Sequence, residues 1–204
     1  MARTAGRDGR AAILIAAGKL FYEHGLETTS VEAVAALAGV TKKALYYHFP
    51  TKHDLVLAYL NAADEPALAL LRGLVRKNPA QHPHPYVRLL EGLRKWLKSG
   101  RFHGCAFLRA ARAHPDDPLV LEAANRHKNA VLLWLETLAG DSGSTRPSQL
   151  ALEFRLLVDG ILATGNLYGA DALIDTAQRT LSALIGGEAQ NSTPRQVNKD
   201  DKRD

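Results

Sequence analysis

The chain has almost no sulfur: one cysteine, Cys105, and one methionine among 204 residues. A lone thiol cannot close an internal disulfide, which excludes a disulfide-stapled scaffold and fits a reducing compartment. Aromatic residues make up only 6% of the chain, so the core must be built largely from Leu, Val, Ile and Ala. No apolar run approaches the ~18 residues that a membrane span needs. The opening MARTAGRDGR is polar, and no signal-like apolar stretch follows it, so a cytoplasmic protein is expected. No alternating strand pattern occurs between hairpin turns, and no repeat recurs at a fixed period. Glycine-rich phosphate loops and dinucleotide fingerprints are missing too, which removes the commonest nucleotide-binding readings. Acid is scarce in two places. Only Glu91 is acidic between residues 72 and 112, against ten Lys and Arg, and no acid lies between Gly39 and His53.

What remains is helical. Hydrophobic residues form 46% of the chain and charged residues 23%, enough apolar surface for a packed core. Ile13, Ala16, Ala17, Leu20 and Phe21 recur at helical spacing, and Gly25 follows as a stop. Val31, Val34, Ala35 and Ala38 form a second, short stripe. Thr29 and Ser30 stand before it as capping candidates and Gly39 after it as a terminator. Thr41 can cap a third helix reaching Phe49, and Thr51 a longer one in which Pro66 predicts a kink or split. Further helices are predicted over about 86–98, 106–113, from Pro118 to Gly140, around the stripe Leu150–Leu162, and over 170–185. Residues 77–85 read as a loop, and the polar stretch 187–204 as a disordered tail. The expected fold class is all-α, with nine or ten helices. The expected domains are a three-helix helix-turn-helix unit at 1–50 and a helical bundle at 51–186.

Residues 28–53, TTSVEAVAALAGVTKKALYYHFPTKH, carry the chemistry. Two short helices joined by a tight turn through Gly39, with Val40 plugging it, have helix-turn-helix proportions. In such a pair the second helix enters the major groove of DNA while the first crosses the backbone. The second helix here offers Thr41, Lys42, Lys43, Tyr46, Tyr47 and His48, all hydrogen-bond donors or flat rings. Leu45 and Phe49 read as core. Ammonium, phenol and imidazole groups can bond phosphate oxygens, which sets register. A lysine on a guanine edge or a ring on a thymine methyl reads sequence.

This segment resembles the tetracycline-repressor (TetR) family of transcriptional regulators. The resemblance is carried by Thr29-Ser30-Val31, Val34-Ala35, Ala38-Gly39-Val40-Thr41, Leu45-Tyr46-Tyr47-His48-Phe49 and Lys52. It covers about residues 10–60 closely and the rest loosely, through helix count and length. It implies phosphate contacts from Thr29, Tyr46, His48 and Lys52, and base or nearby backbone contacts from Thr41, Lys42, Lys43 and Tyr47. Lys43 departs from the pattern, since many relatives have a small residue there, and the added cation should shift operator preference. The resemblance further implies a regulator, taken as a repressor, that a small-molecule effector releases from a palindromic operator.

Two copies of one helix-turn-helix reach successive major grooves, about 34–36 Å apart, so a homodimer is expected. The stripe bearing Phe154, Leu157, Val158, Ile161, Leu162 and Gly165 is the candidate interface, forming a four-helix bundle with the last helix and its copies. The same stripe could instead fill the monomer core, and periodicity alone does not choose. Candidate effector contacts are Trp96, Phe102, His103, Cys105, Phe107, Arg109, His127 and Trp134, each with a packing alternative. The basic segment 72–112 suggests an anionic effector.

Other chemistries fit less well. Gly140-Asp141-Ser142-Gly143 resembles a protease nucleophile segment, but it falls between two helices with no sheet to supply an oxyanion site, so no enzyme is expected. His82-x-His84 and His103-x-Cys105 lack a standard zinc spacing, so neither a metal site nor a cofactor is expected. The alternative in a different class is an architectural DNA-binding protein without an effector. Its binding would follow salt and ignore sequence.

Overall fold

A computed structural model describes residues 2–77 and 82–191, with side chains described for 9–77 and 82–187. These residues form α1 (Ala2–His24), α2 (Val31–Leu37), α3 (Lys42–His48), α4 (Lys52–Arg76), α5 (Pro85–Lys98), α6 (Ala106–Ala113), α7 (Pro118–Asp141), α8 (Pro147–Thr164) and α9 (Ala170–Asn191). No strand occurs among the described residues, so the fold is all-α. None of their helices is long and apolar enough to cross a membrane.

Local chemistry sets most boundaries. The Ser30 hydroxyl accepts from Ala33 N and the Thr41 hydroxyl from Ala44 N, starting α2 and α3. Thr51 and Asp54 form a reciprocal capping box at the head of α4. Gly39 has φ 67°, in the left-handed region where a Cβ is costly, and so permits the tight turn between α2 and α3. Pro118 opens α7, where the missing N–H costs nothing, and Asp117 caps it. Two expectations need correction. Pro66 does not split α4, which runs unbroken through it for 25 residues. Residues 187–191 of the expected tail belong instead to α9, which continues to Asn191; residues 192–204 lie outside the described residues, as do 78–81 of the predicted loop.

There are two buried clusters. The first holds Ile13, Ala17 and Phe21 of α1, Val34 and Ala35 of α2, Leu45 and Phe49, and Leu55–Leu60 of α4. It does not close on itself. Phe107 and Ala110 of α6 and Val120, Ala123 and Ala124 of α7 complete it. The second cluster joins the far half of α4 to α5, α7, α8 and α9. Its centre is Tyr86 stacked on Phe154 at 3.9 Å between ring centroids, with the Tyr86 hydroxyl donating to Leu135 O at 2.8 Å. Thus α4 contributes to both cores.

Part of the basic segment is spent on architecture. Arg94 of α5 reaches Glu91, Asp171 at 2.9 Å and Asp175 at 2.7 Å, tying α5 to α9. Burial opposes its charge, but those carboxylates outweigh it and raise its pKa. Lys98 joins Asp171 at 2.7 Å. Arg88 donates to Val75 O and His82 O, closing the α4–α5 connection. The acidic later helices therefore neutralise the basic earlier one within the chain.

Candidate functional site

The exposed face of α3 is the first candidate. Leu45 and Phe49 point inward at 0% and 2% exposure, and the Arg10 guanidinium covers the Phe49 ring at 5.0 Å. The 100° step of a helix then throws Lys42, Lys43, Tyr46 and Tyr47 outward. All four are exposed, Tyr47 most of all at 84%. His48 sits edge-on to Tyr47, with centroids 5.3 Å apart, on the flank facing α1.

Three of the expected DNA-contacting side chains are already engaged. Thr29 is buried, and its hydroxyl bonds Gly25 O at 2.7 Å, so its side chain serves the α1–α2 connection and does not face outward. Lys52 donates to Glu27 O at 3.2 Å. Lys42 is paired with Glu32 of α2, which raises its pKa and lowers that of Glu32. The acid-free stretch of sequence is thus not acid-free in space: α2 carries a carboxylate to α3. Sequence spacing could have revealed it only with the α2–α3 crossing in hand. Thr41, Lys43, Tyr46 and Tyr47 are left as the open strip, with Thr41 at its N-terminal edge.

The second candidate is a cavity of about 580 Å³ bounded by α1, α4, α6 and the 99–105 loop, with Trp96 and Leu162 at its far wall. Of the expected effector contacts it brings together Trp96, Cys105, Phe107 and His127. Phe102 packs edge-on behind Trp96 at 5.0 Å and is 6% exposed, in the core. His103 and Arg109 border a neighbouring cleft. Arg109 there pins α1 to the loop, donating to Tyr22 O at 2.7 Å and His103 O at 3.0 Å. Trp134 packs against the second core and lines none of the cavities described. Among the wall residues that sequence reasoning missed are Tyr22, on a helix assigned to the DNA-contacting unit, and Tyr59, on one assigned to the bundle. Neither gave a signal of its own.

His127 is 3% exposed, stacked on Phe107 at 3.8 Å, and bonded through Nδ1 to Asp64 Oδ1 at 2.8 Å. Burial lowers its pKa, and Asp64 offsets only part of that. Burial also pushes the Tyr59 hydroxyl up to about 12. Among the described residues there is no cluster of three or more His, Cys, Asp or Glu suited to a metal ion.

The third candidate is α8, and here the expected interface must be corrected. Phe154, Val158, Ile161 and Leu162 are at most 7% exposed within a single chain. They are the inward face. Leu157 is half-buried against the same core. Gly165 is packed so tightly that a Cβ would lie 2.4 Å from Leu97 and 2.6 Å from Phe102. The outward face is a different stripe: Leu152, Leu156, Gly160 and Ala163, followed by Leu167 and Tyr168. Leu156 is 66% exposed, and a groove between α8 and α9 runs beside it.

Known proteins share this arrangement. Residues 13–59 match the family model described as "Bacterial regulatory proteins, tetR family", spanning α1 to the first turns of α4. A solved TetR-family transcriptional regulator from Streptomyces coelicolor superposes with TM-score 0.73 and 26% identity, over 90% of this chain and 97% of that one. The chain is similar to the TetR family over residues 13–59 and shares the fold of a solved family member. Among curated TetR-like relatives, HTH-type transcriptional regulator TtgR of Pseudomonas putida is 42% identical over 59 residues, or 29% of this chain. HTH-type transcriptional regulator RutR of Escherichia coli is 35% identical over 118 residues, 53% of this chain. The chain spans only 28% of the length of TtgR and 55% of that of RutR.

Proposed function

We propose that this chain is a TetR-family, sequence-specific, DNA-binding transcriptional repressor that works as a homodimer on a palindromic operator and is released by a small molecule. The observation that carries the reading is the outer strip of α3. Two apolar residues anchor the helix while Thr41, Lys43, Tyr46 and Tyr47 stand in solvent with no apolar partner to cover them. Large exposed aromatics beside cations suit a groove lined with phosphate and base edges. His48 flanks the strip, and Lys42 reaches DNA only if Glu32 yields it. The backbone of α1 at Gly9 lies on the same side, since a Cβ built there would stand 3.4 Å from His48 Nε2.

Dimerisation follows from the apolar outer face of α8. Leu152 and Leu156 flanked by Gly160 and Ala163 give a stripe on which a second copy can pack closely, with α9 beside it. The effector occupies the 580 Å³ cavity, within the usual size for small-molecule sites. Its walls include both α1 and α4, so an occupant pushes on the helices that carry α3. Release needs only that the DNA-competent form hold the effector less well. The test is selection of bound duplexes from a random library. A two-fold symmetric consensus is expected; retention of all sequences alike, with binding governed by salt alone, would establish the architectural alternative instead.

A further inference from the structure

We propose that the cavity takes a neutral aromatic ligand bearing a phenol-type hydroxyl, read by His127 Nε2 as acceptor and Tyr59 Oη as donor. This rests on the effector reading above and names the ligand chemistry of that site.

Two buried polar atoms carry the inference. The Asp64 carboxylate takes the Nδ1 proton of His127, which leaves Nε2 a bare acceptor. No described residue bonds Nε2, yet it is not sealed in the packing, and the ring lines the cavity. Tyr59 is 7% exposed and also lines the cavity; its hydroxyl likewise has no partner among the described residues and is not sealed. Buried polar groups are normally paired, so open polar atoms on two residues that line one cavity mark a place for a ligand's own polar atoms. A hydroxyl both donates and accepts, and so serves both.

The surroundings fix the rest of the class. Tyr22, Tyr59, Trp96, Phe107 and His127 give aromatic faces, and Ala63, Ala67 and Leu71 a smooth aliphatic floor. The charged residues on the wall, Lys19, Glu23 and Arg101, are exposed, which puts them at the mouth, and both signs are present. No cation faces the interior to hold a carboxylate. Asp64 stands behind the imidazole and does not line the space. An anionic effector, suggested by the basic sequence segment, is therefore disfavoured: Arg72, Arg88, Arg94 and Arg109 of that segment are bonded to carboxylates and carbonyls of the fold, and Arg101 stands at the mouth.

Titration calorimetry with four probes of one shape tests this: naphthalene, 2-naphthol, 2-methoxynaphthalene and 2-naphthoate. The expected order puts 2-naphthol about tenfold tighter than 2-methoxynaphthalene, the scale of one or two net hydrogen bonds, with 2-naphthoate weakest. Tyr59→Phe keeps the ring and should cut that preference severalfold; His127→Gln should abolish it. If His127→Gln fails to fold, Tyr59→Phe alone still decides. Equal binding of all four probes, tightest binding of the naphthoate, or an undiminished 2-naphthol preference in Tyr59→Phe would overturn the proposal. The same proteins are tested for duplex binding. A 2-naphthol preference in protein whose hold on DNA ignores the probe supports the ligand chemistry and refutes effector release. Intact DNA binding without any 2-naphthol binding overturns the ligand class alone.

Discussion

The two faces of α8 can be separated by a pair of substitutions two residues apart. Phe154 is fully buried and stacked on Tyr86, so Phe154→Ala removes a ring from a sealed site and leaves a cavity. Such truncations cost about 3–5 kcal/mol, including the ring–ring contact. At roughly 2–4 °C per kcal/mol for a chain of this size, about 4 kcal/mol lowers the melting temperature by about 8–16 °C. Leu156 is 66% exposed in the single chain, so Leu156→Asp should change the stability of an isolated chain by less than about 0.5 kcal/mol. Its effect falls on assembly, because it places a charge in the middle of the apolar stripe. Calorimetric melting at one fixed concentration, with sedimentation equilibrium on the same samples, reads both quantities. Phe154→Ala should melt early and remain two-chain in mass; Leu156→Asp should sediment as one chain, with only the modest loss of melting temperature that dissociation brings. The opposite pairing, a dissociated Phe154→Ala with near-native melting, would show that the inward and outward faces have been assigned the wrong way round.

Other outcomes follow from single contacts. Lys43→Ala should weaken DNA binding and reduce the slope of log affinity against log salt by about one per chain, measured by fluorescence anisotropy. Glu32→Gln frees Lys42, so it should tighten binding and steepen that slope; an unchanged slope would mean Lys42 has no role beyond its pair with Glu32. His127 titrates below its ordinary value of 6.5 when folded, so the unfolded chain binds the extra proton first. Stability is therefore full above about pH 6.5 and falls as the pH drops below it, until the folded-state pKa is passed. Melting curves from pH 8 to 5 should slope downward in this window, and His127→Gln should flatten that component.

The helix-turn-helix was legible because its determinants are local. Ser30, Thr41 and Thr51 are caps acting within four residues, and Gly39 answers a single backbone requirement. The Leu45–Phe49 spacing likewise declares which side of α3 is buried. The α8 interface was misread because the most hydrophobic stripe of a helix is the one a monomer needs first. The stripe of Phe154, Val158, Ile161 and Leu162 was consumed by the core, and the outward stripe of Leu152, Leu156, Gly160 and Ala163, proposed as the partner-facing one, is weaker. The cavity lining was half legible. Trp96, Cys105, Phe107 and His127 do share a cavity, while Tyr22 and Tyr59 depended on how α1 and α4 lean on α6 and α7, a long-range arrangement with no local mark. The basic segment misled for the same reason, since Asp171 and Asp175 lie some eighty residues from Arg94.

The open first core has a practical consequence for protein engineering. Phe107, Ala110, Val120, Ala123 and Ala124 supply the lid over the apolar sides of α1 and α4. A fragment cut anywhere before them would bare that surface to water and invite aggregation. A chimaera that grafts this reading head onto another sensor must therefore carry α6 and the first turns of α7 along with it, or rebuild their contribution from the recipient.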